Sequence, residues 1–291
     1  MHQYLKSIGF NKIKSKKELY QILEDVEKKF TYHELVYMEE CMDFCEYQKE
    51  YGPGIGISLY GDLDIDENFQ KQYYTPFFFG TGITSYAEVV IDRRMDREAY
   101  VGICEEAKIG ISLIFHLQNT LEYLREKQIT QDKIKYTSVT LSGLCESGKI
   151  LLPIKKDKIQ KRRQKEEVKN RMMLMDAAKN GDPIAIESLT LDDIDTYSEV
   201  SRRLISEDVF SIVDTYIMPH GVECDHYSIM GEIKGLQKVK NEYSSEEVYI
   251  MNLDVNDLIF DICVPVREII GDPTVGRRFK GTMWLQGRIN F

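Results

Sequence analysis

The chain has 291 residues, 43% hydrophobic and 30% charged, a balance that belongs to folded globular proteins and excludes an intrinsically disordered one. At that length two domains, or one domain with a large helical insertion, are expected. The formal charge of −10 argues against nucleic acid or an anionic membrane as a whole-surface partner and leaves only a local basic patch for either.

No stretch of about 18 apolar residues occurs, so no transmembrane helix is expected, and Met1 to Phe10 lacks an apolar core of signal-peptide length. Cys41, Cys45, Cys104, Cys145, Cys224 and Cys263 are scattered through a chain too long to need disulfide staples. These features predict a cytoplasmic protein with reduced thiols.

The first element is a helix: Ser15 and Glu18 form a capping box ahead of Leu19, Ile22, Leu23, Val26 and Phe30, which share one face. Period-two patterning follows, punctuated at Gly52-Pro53-Gly54, Asp62 to Asn68 and Gly80 to Gly82, and predicts an antiparallel sheet. Ile109 to Leu117 is apolar at alternate positions and passes into helical spacing near Asn119. Thr137 to Leu141 and Lys149 to Ile154 read as two strands joined by a Glu-Ser-Gly-Lys turn.

Between Lys155 and Arg171 the chain carries nine Lys or Arg against three Asp or Glu, the signature of a solvated helix or linker that spaces two β-rich parts. That helix should stop near Asn180-Gly181. Asp182-Pro183 then caps a short helix, and Thr190 with Asp193 starts another reaching about Ile205. Strands follow in Val209 to Met218, Tyr227 to Ile233, Val248 to Leu253 and Leu258 to Val264. Five short C-terminal strands with glycines at bends suggest a small OB-like or SH3-like barrel. The expected fold is therefore α+β: an N-terminal antiparallel sheet with flanking helices (1–154), a helical middle segment (155–205) and a small C-terminal β-barrel (206–291).

Several motif lookalikes fail at a named residue. Gly143 to Lys149 has the spacing of a phosphate-binding loop, but Ile150 stands where Ser or Thr must hold Mg²⁺ and Pro153 blocks the following helix, leaving a hairpin turn. Asp62, Asp64 and Asp66 imitate a calcium loop, yet Glu67 replaces its glycine and Tyr73 its last carboxylate. Gly52, Gly54 and Gly56 precede a strand rather than a helix, unlike a dinucleotide turn. The run Tyr73-Tyr74-Thr75-Pro76-Phe77-Phe78-Phe79 reads as core or interface.

Two clusters carry candidate chemistry. His220, Cys224 and His226 offer three soft-metal ligands within seven residues but lack the second ligand pair of a closed site, so a polar turn is the reading and no metal or other cofactor is expected. His33 with Cys41 and Cys45 is weaker still as a ligand set, and buried cysteine is the reading there. Arg277, Arg278, Lys280 and Arg288 with Phe279 and Trp284 combine cations and rings as in proteins that hold single strands by charge and stacking. The field around them is unfavourable, since residues 206–291 hold eight Lys or Arg against fourteen Asp or Glu.

The strings Ile8-Gly9-Phe10, Glu187 to Tyr197, Phe210 to Tyr216, Glu223 to Ile233, Val275 to Gly281 and Trp284 to Gly287 resemble an uncharacterised family of about 290-residue proteins from anaerobic gut bacteria. The resemblance covers the whole chain and implies no activity. The leading functional expectation is a non-enzymatic binding or regulatory protein that meets a protein partner through its C-terminal β domain. Single-stranded nucleic-acid binding is the alternative, and an enzyme using His220, Cys224 or His226 beside a perturbed carboxylate is the third reading.

Overall fold

A computed structural model describes residues 1–38, 42–94, 99–106, 109–130, 138–154 and 158–291. A 3-10 turn over Gln3–Ile8 leads to helix α1 (Lys16–Lys28). The expected capping box is present: the Glu18 amide donates to Ser15 Oγ at 3.2 Å and the Ser15 amide to Glu18 Oε2 at 3.1 Å. Leu19, Ile22, Leu23 and Val26 are buried, whereas Phe30 falls beyond the helix and is largely exposed.

Strands β1 (Tyr32–Met38), β2 (Met42–Gly52), β3 (Ile55–Leu63) and β4 (Phe69–Phe78) form an antiparallel sheet in that order. The β2–β3 and β3–β4 turns fall where the sequence marks them. Gly54 has φ +69°, and at the β3–β4 tip Asp64 Oδ1 accepts from the amides of Asp66 and Asn68 at 2.9 and 2.8 Å, a hairpin rather than a cation loop. Phe77 and Phe78 are buried.

The rest builds one ten-stranded mixed sheet. Its elements are β5 (Val89–Arg93), β6 (Tyr100–Glu106), β7 (Ile111–Leu117), α2 (Thr120–Thr130), β8 (Ser138–Leu151), α3 (Lys158–Lys179), α4 (Pro183–Arg203), α5 (Val209–Ile212), β9 (Tyr216–Pro219), β10 (His226–Lys240), β11 (Glu247–Val255), β12 (Leu258–Pro265), β13 (Ile269–Ile270) and β14 (Arg278–Asn290). The order is β13-β8-β12-β11-β10-β14-β7-β6-β5, with β9 beside β10. In place of a separate small barrel over 206–291, the C-terminal strands share this sheet with β5 to β8. Strand β14 also pairs with β8 from Arg278↔Leu151 to Asn290↔Ser138, so the pairings β8–β12–β11–β10–β14 return to β8.

Three local expectations are corrected. Residues 138–151 are one strand, not two joined by a turn. The reason is packing: a Cβ on Gly148 would lie 2.2 Å from the Phe279 ring and one on Gly143 2.8 Å from Met283 Sδ, so these glycines admit neighbours rather than bend the chain. Residues 183–203 are one helix, because the Thr190 hydroxyl bonds back to the Ile186 carbonyl at 2.8 Å instead of capping a new start. Val209 opens a short helix capped by Asp208, whose side chain accepts from the Phe210 amide at 2.9 Å, before β9 begins.

One core cluster, including Phe115, Leu141, Ile229 and Ile262, fills the large sheet. A second joins Leu5, Ile8, Ile22 and Val26 to Leu144, Cys263 and Trp284, so the N-terminal helix closes over strands from both ends of the chain. Cys45, Cys104, Cys145 and Cys263 are buried and unbridged, and Cys224 is exposed; Cys41 and residues 155–157 of the basic stretch lie outside the described residues. Among the described residues no helix is long and apolar enough to cross a membrane.

Candidate functional site

The six side chains of the expected cation and ring patch sit at three places along β14. A strand rises about 3.3 Å per residue, so Arg278 and Arg288 stand about 33 Å apart. At the near end Arg278, 5% exposed, donates to the carbonyls of Leu152 (2.9 Å), Phe210 (2.8 Å), Val213 (2.9 Å) and Asp214 (3.3 Å). Burial lowers its pKa from the ordinary guanidinium value. Lys280 Nζ stands 4.1 Å over the Phe210 ring, and Arg277 binds the Asp272 carbonyl at 2.5 Å. Phe279 is wholly buried. Arg278 and Lys280 thus hold the segment 210–214, Arg277 ties to the turn at Asp272, and the ring faces the core.

Midway along β14, Trp284 is 5% exposed and lies among histidines. The His2 and His116 rings are 4.8 and 5.1 Å from it, and Tyr4 stacks on it at 5.5 Å. Trp284 Nε1 donates to Asp225 Oδ2 at 3.0 Å, Arg94 pairs with the same oxygen, and His226 Nδ1 lies 3.0 Å from Oδ1. Burial alone would raise the Asp225 pKa, but the bonds from His226 and Trp284 and the charge of Arg94 outweigh it and bring it to about 2. This is the only one of the expected His-Cys residues that meets a perturbed carboxylate. The other ring nitrogen of His226 faces the Gln3 amide at 3.5 Å, and Tyr4 covers the ring at 5.5 Å, so the pair acts as an internal tie. His220 and Cys224 are exposed, and among the described residues no three His, Cys, Asp or Glu side chains gather as a metal cluster.

At the far end of β14, Arg288 opens onto a cleft of about 450 Å³ lined by Phe79, Gln118, Glu122, Thr140 and Asn290 among others. Gln118 on its lining belongs to a network of buried amides. Gln118 Nε2 donates to the Phe78 carbonyl at 2.8 Å and to Gln286 Oε1 at 3.0 Å, while Gln286 Nε2 donates to the Pro76 carbonyl at 2.9 Å. Asn119 extends the ladder beyond β7: its Nδ2 donates to the Ile289 carbonyl at 2.8 Å and its Oδ1 accepts the Ile289 amide at 3.1 Å. These bonds lock the four-stranded sheet onto β7 and β14 and fix the walls.

The β4–β5 connection forms one lip. Gly80 lies so close to β8 that a Cβ there would meet the Leu141 carbonyl at 2.6 Å, which leaves the half-buried Phe79 ring, stacked at 4.3 Å on Phe77, beside the opening. On the opposite wall Arg288 Nη2 bonds Glu122 Oε2 at 3.1 Å, and Asn119 Nδ2 holds the same carboxylate oxygen at 2.9 Å. The cleft therefore carries a cation, an anion, amides and a ring, and its volume lies in the range of small-molecule sites.

Of the predicted set only Arg288 lines this cleft. Sequence reasoning missed Phe79, Gln118, Glu122, Thr140 and Asn290, which come from five separate places: the β4–β5 connection, the β7–α2 junction, α2, β8 and β14. The usable signal was Gln118-Asn119, a polar pair placed where an apolar strand passes into a helix. The string Trp284 to Gly287 acquires a structural meaning too, because Gln286 holds Gln118 from beneath and a Cβ on Gly287 would strike the Phe115 ring at 2.5 Å.

Residues 5–287 match the family described as "Domain of unknown function, E. rectale Gene description (DUF3881)". The chain belongs to this family. No curated protein and no solved structure matches it. The DUF3881 match takes in β14 up to Gly287 and every cleft element before it, and so includes the Gln118–Gln286 hydrogen bond.

Proposed function

We propose that this DUF3881 protein is a non-enzymatic binding or regulatory protein whose C-terminal strands, at the far end of β14, take up a small zwitterionic molecule. The observation that carries this reading is the cleft of about 450 Å³ with the Arg288–Glu122 pair on its wall. An exposed ion pair contributes only about 0–1 kcal/mol, so a ligand bearing both a carboxylate and an ammonium group replaces it at little cost. The carboxylate takes Arg288, the ammonium takes Glu122, and the remainder packs on Phe79.

The closed run of pairings β8–β12–β11–β10–β14 supports reading this part as a small OB-like or SH3-like barrel, with β8 contributed from before the helical segment. Its cations and rings are otherwise engaged, as Phe279 and Trp284 are interior and Arg277, Arg278 and Lys280 hold neighbouring chain. This weighs against the single-strand reading. Single-stranded oligonucleotides are expected to leave Trp284 fluorescence unchanged.

The test is a thermal-shift and calorimetric panel of free amino acids and short zwitterionic peptides on the full chain. At least one class is expected to bind, with affinity reduced about tenfold or more in Arg288→Ala and in Glu122→Gln. A panel without binding, or binding indifferent to both substitutions, refutes the proposal.

A further inference from the structure

The helical excursion between β8 and β9 leaves and re-enters the body at one point. Arg278 bonds the Leu152 carbonyl on the way out and the Phe210 and Val213 carbonyls on the way back. The segment is therefore not a spacer between two β parts. It is a helical hairpin held at its base, with a tip at Asn180-Gly181, where Gly181 has φ +84°. Beyond the base it touches the body near that tip, through Lys179 to Glu105 at 3.2 Å and Met175 beside Gly110, where a glycine Cβ would lie 3.6 Å from Met175 Cε.

The hairpin is poorly covered. Of the described side chains in α4 only Ala185 is buried. Ile184 is 73% exposed, Leu191 56%, Ile194 55% and Tyr197 76%, and Met173 on α3 is 56% exposed. Positions 184, 191 and 194 recur at helical spacing and lie along one side of a 21-residue helix. Helices in water draw most of their stability from the packing of such a face, and here that face is open.

Charge selects what covers it. Helix α3 carries eight Lys or Arg against three acidic residues, and α4 carries five acidic residues against two Arg. Within one chain they meet at Arg171 and Asp193, 2.8 Å apart. We propose that two copies of this protein dimerise through their α3–α4 hairpins, aligned tip to tip about a two-fold axis. Each acidic α4 then lies antiparallel to the basic α3 of the second copy, and the signs alternate around a four-helix bundle. The Arg171–Asp193 pair sets the level, since it places the exposed Met173 alongside Leu191 and Ile194. A face about 30 Å long and two helices wide covers about 600 Å² in projection, of the order a specific interface requires from each partner. Direct α4-to-α4 docking would oppose like charges.

Sedimentation equilibrium of the full chain from about 1 to 100 µM is expected to show a monomer–dimer equilibrium. Leu191→Glu/Ile194→Glu should weaken it by about 100-fold or more while leaving Trp284 fluorescence unchanged. A wild-type protein that stays monomeric at the highest concentration overturns the proposal, as does a dimer indifferent to the double substitution. Hydrogen exchange of the wild type needs no variant: amides 184–200 should be more protected in concentrated than in dilute solution. Protection independent of concentration also overturns the proposal.

Discussion

Glu46 offers a quantitative test of the interface between the two sheets. On β2 it stands opposite Glu34 of β1 and Tyr60 of β3 and is 2% exposed, with Gln48 Nε2 donating to it at 2.7 Å. Burial raises its pKa from 4.5 to about 7, outweighing the lowering by hydrogen bonds from Gln48, Tyr60 and Ser58, and the charge of Glu34 adds to the rise. The folded state thus binds a proton more tightly than the unfolded state does. The resulting stabilisation is complete below about pH 4.5 and is lost as pH rises through about 7. A difference of about 2.5 pH units corresponds to about 3 kcal/mol. Denaturant unfolding at pH 5 and pH 8 should show this loss in the wild type. Glu46→Gln keeps the shape without the charge; because the unfolded carboxyl is already mostly ionised at pH 5, its stability should change about 2.5 kcal/mol less over that interval and exceed that of the wild type at pH 8. Parallel wild-type and variant curves between pH 5 and 8 would refute the assignment.

Asp225 runs in the opposite sense. With its folded pKa near 2, its contribution is complete above about pH 4 and is lost as pH falls toward 2, amounting to about 2 kcal/mol; Asp225→Asn should lower stability at neutral pH and flatten the acid limb of an unfolding profile. Arg278→Lys keeps a charge but cannot reach the four carbonyls at once, and a cost of about 2–4 kcal/mol is expected. Limited proteolysis should then cut within 205–215 before the rest of the chain, and a cleavage pattern like that of the wild type would contradict the clamp.

Local signals were sufficient wherever one element decides its own conformation. The Ser15–Glu18 box and its apolar stripe specify α1, the Asp64–Asn68 tip specifies a hairpin, and the change from period two to helical spacing near Asn119 falls one residue before α2 begins. Where neighbours decide, the sequence pointed elsewhere. Gly148 reads as a turn residue until Phe279 is seen to need its missing side chain, and Thr190 reads as a cap until its hydroxyl is seen to bond back along the helix.

The candidate site divides in the same way. Arg277 to Arg288 look like one patch in sequence because adjacency there is counted in residues. In space a strand carries them about 33 Å from end to end, and their partners are set by whichever elements lie alongside. Composition, charge, most element types and the family resemblance were determined by the sequence alone. The pairing of β8 with β14, the meeting of Phe79, Gln118, Glu122 and Arg288, and the uncovered face of α4 were decided by tertiary structure, because each depends on contacts between segments that no local pattern registers.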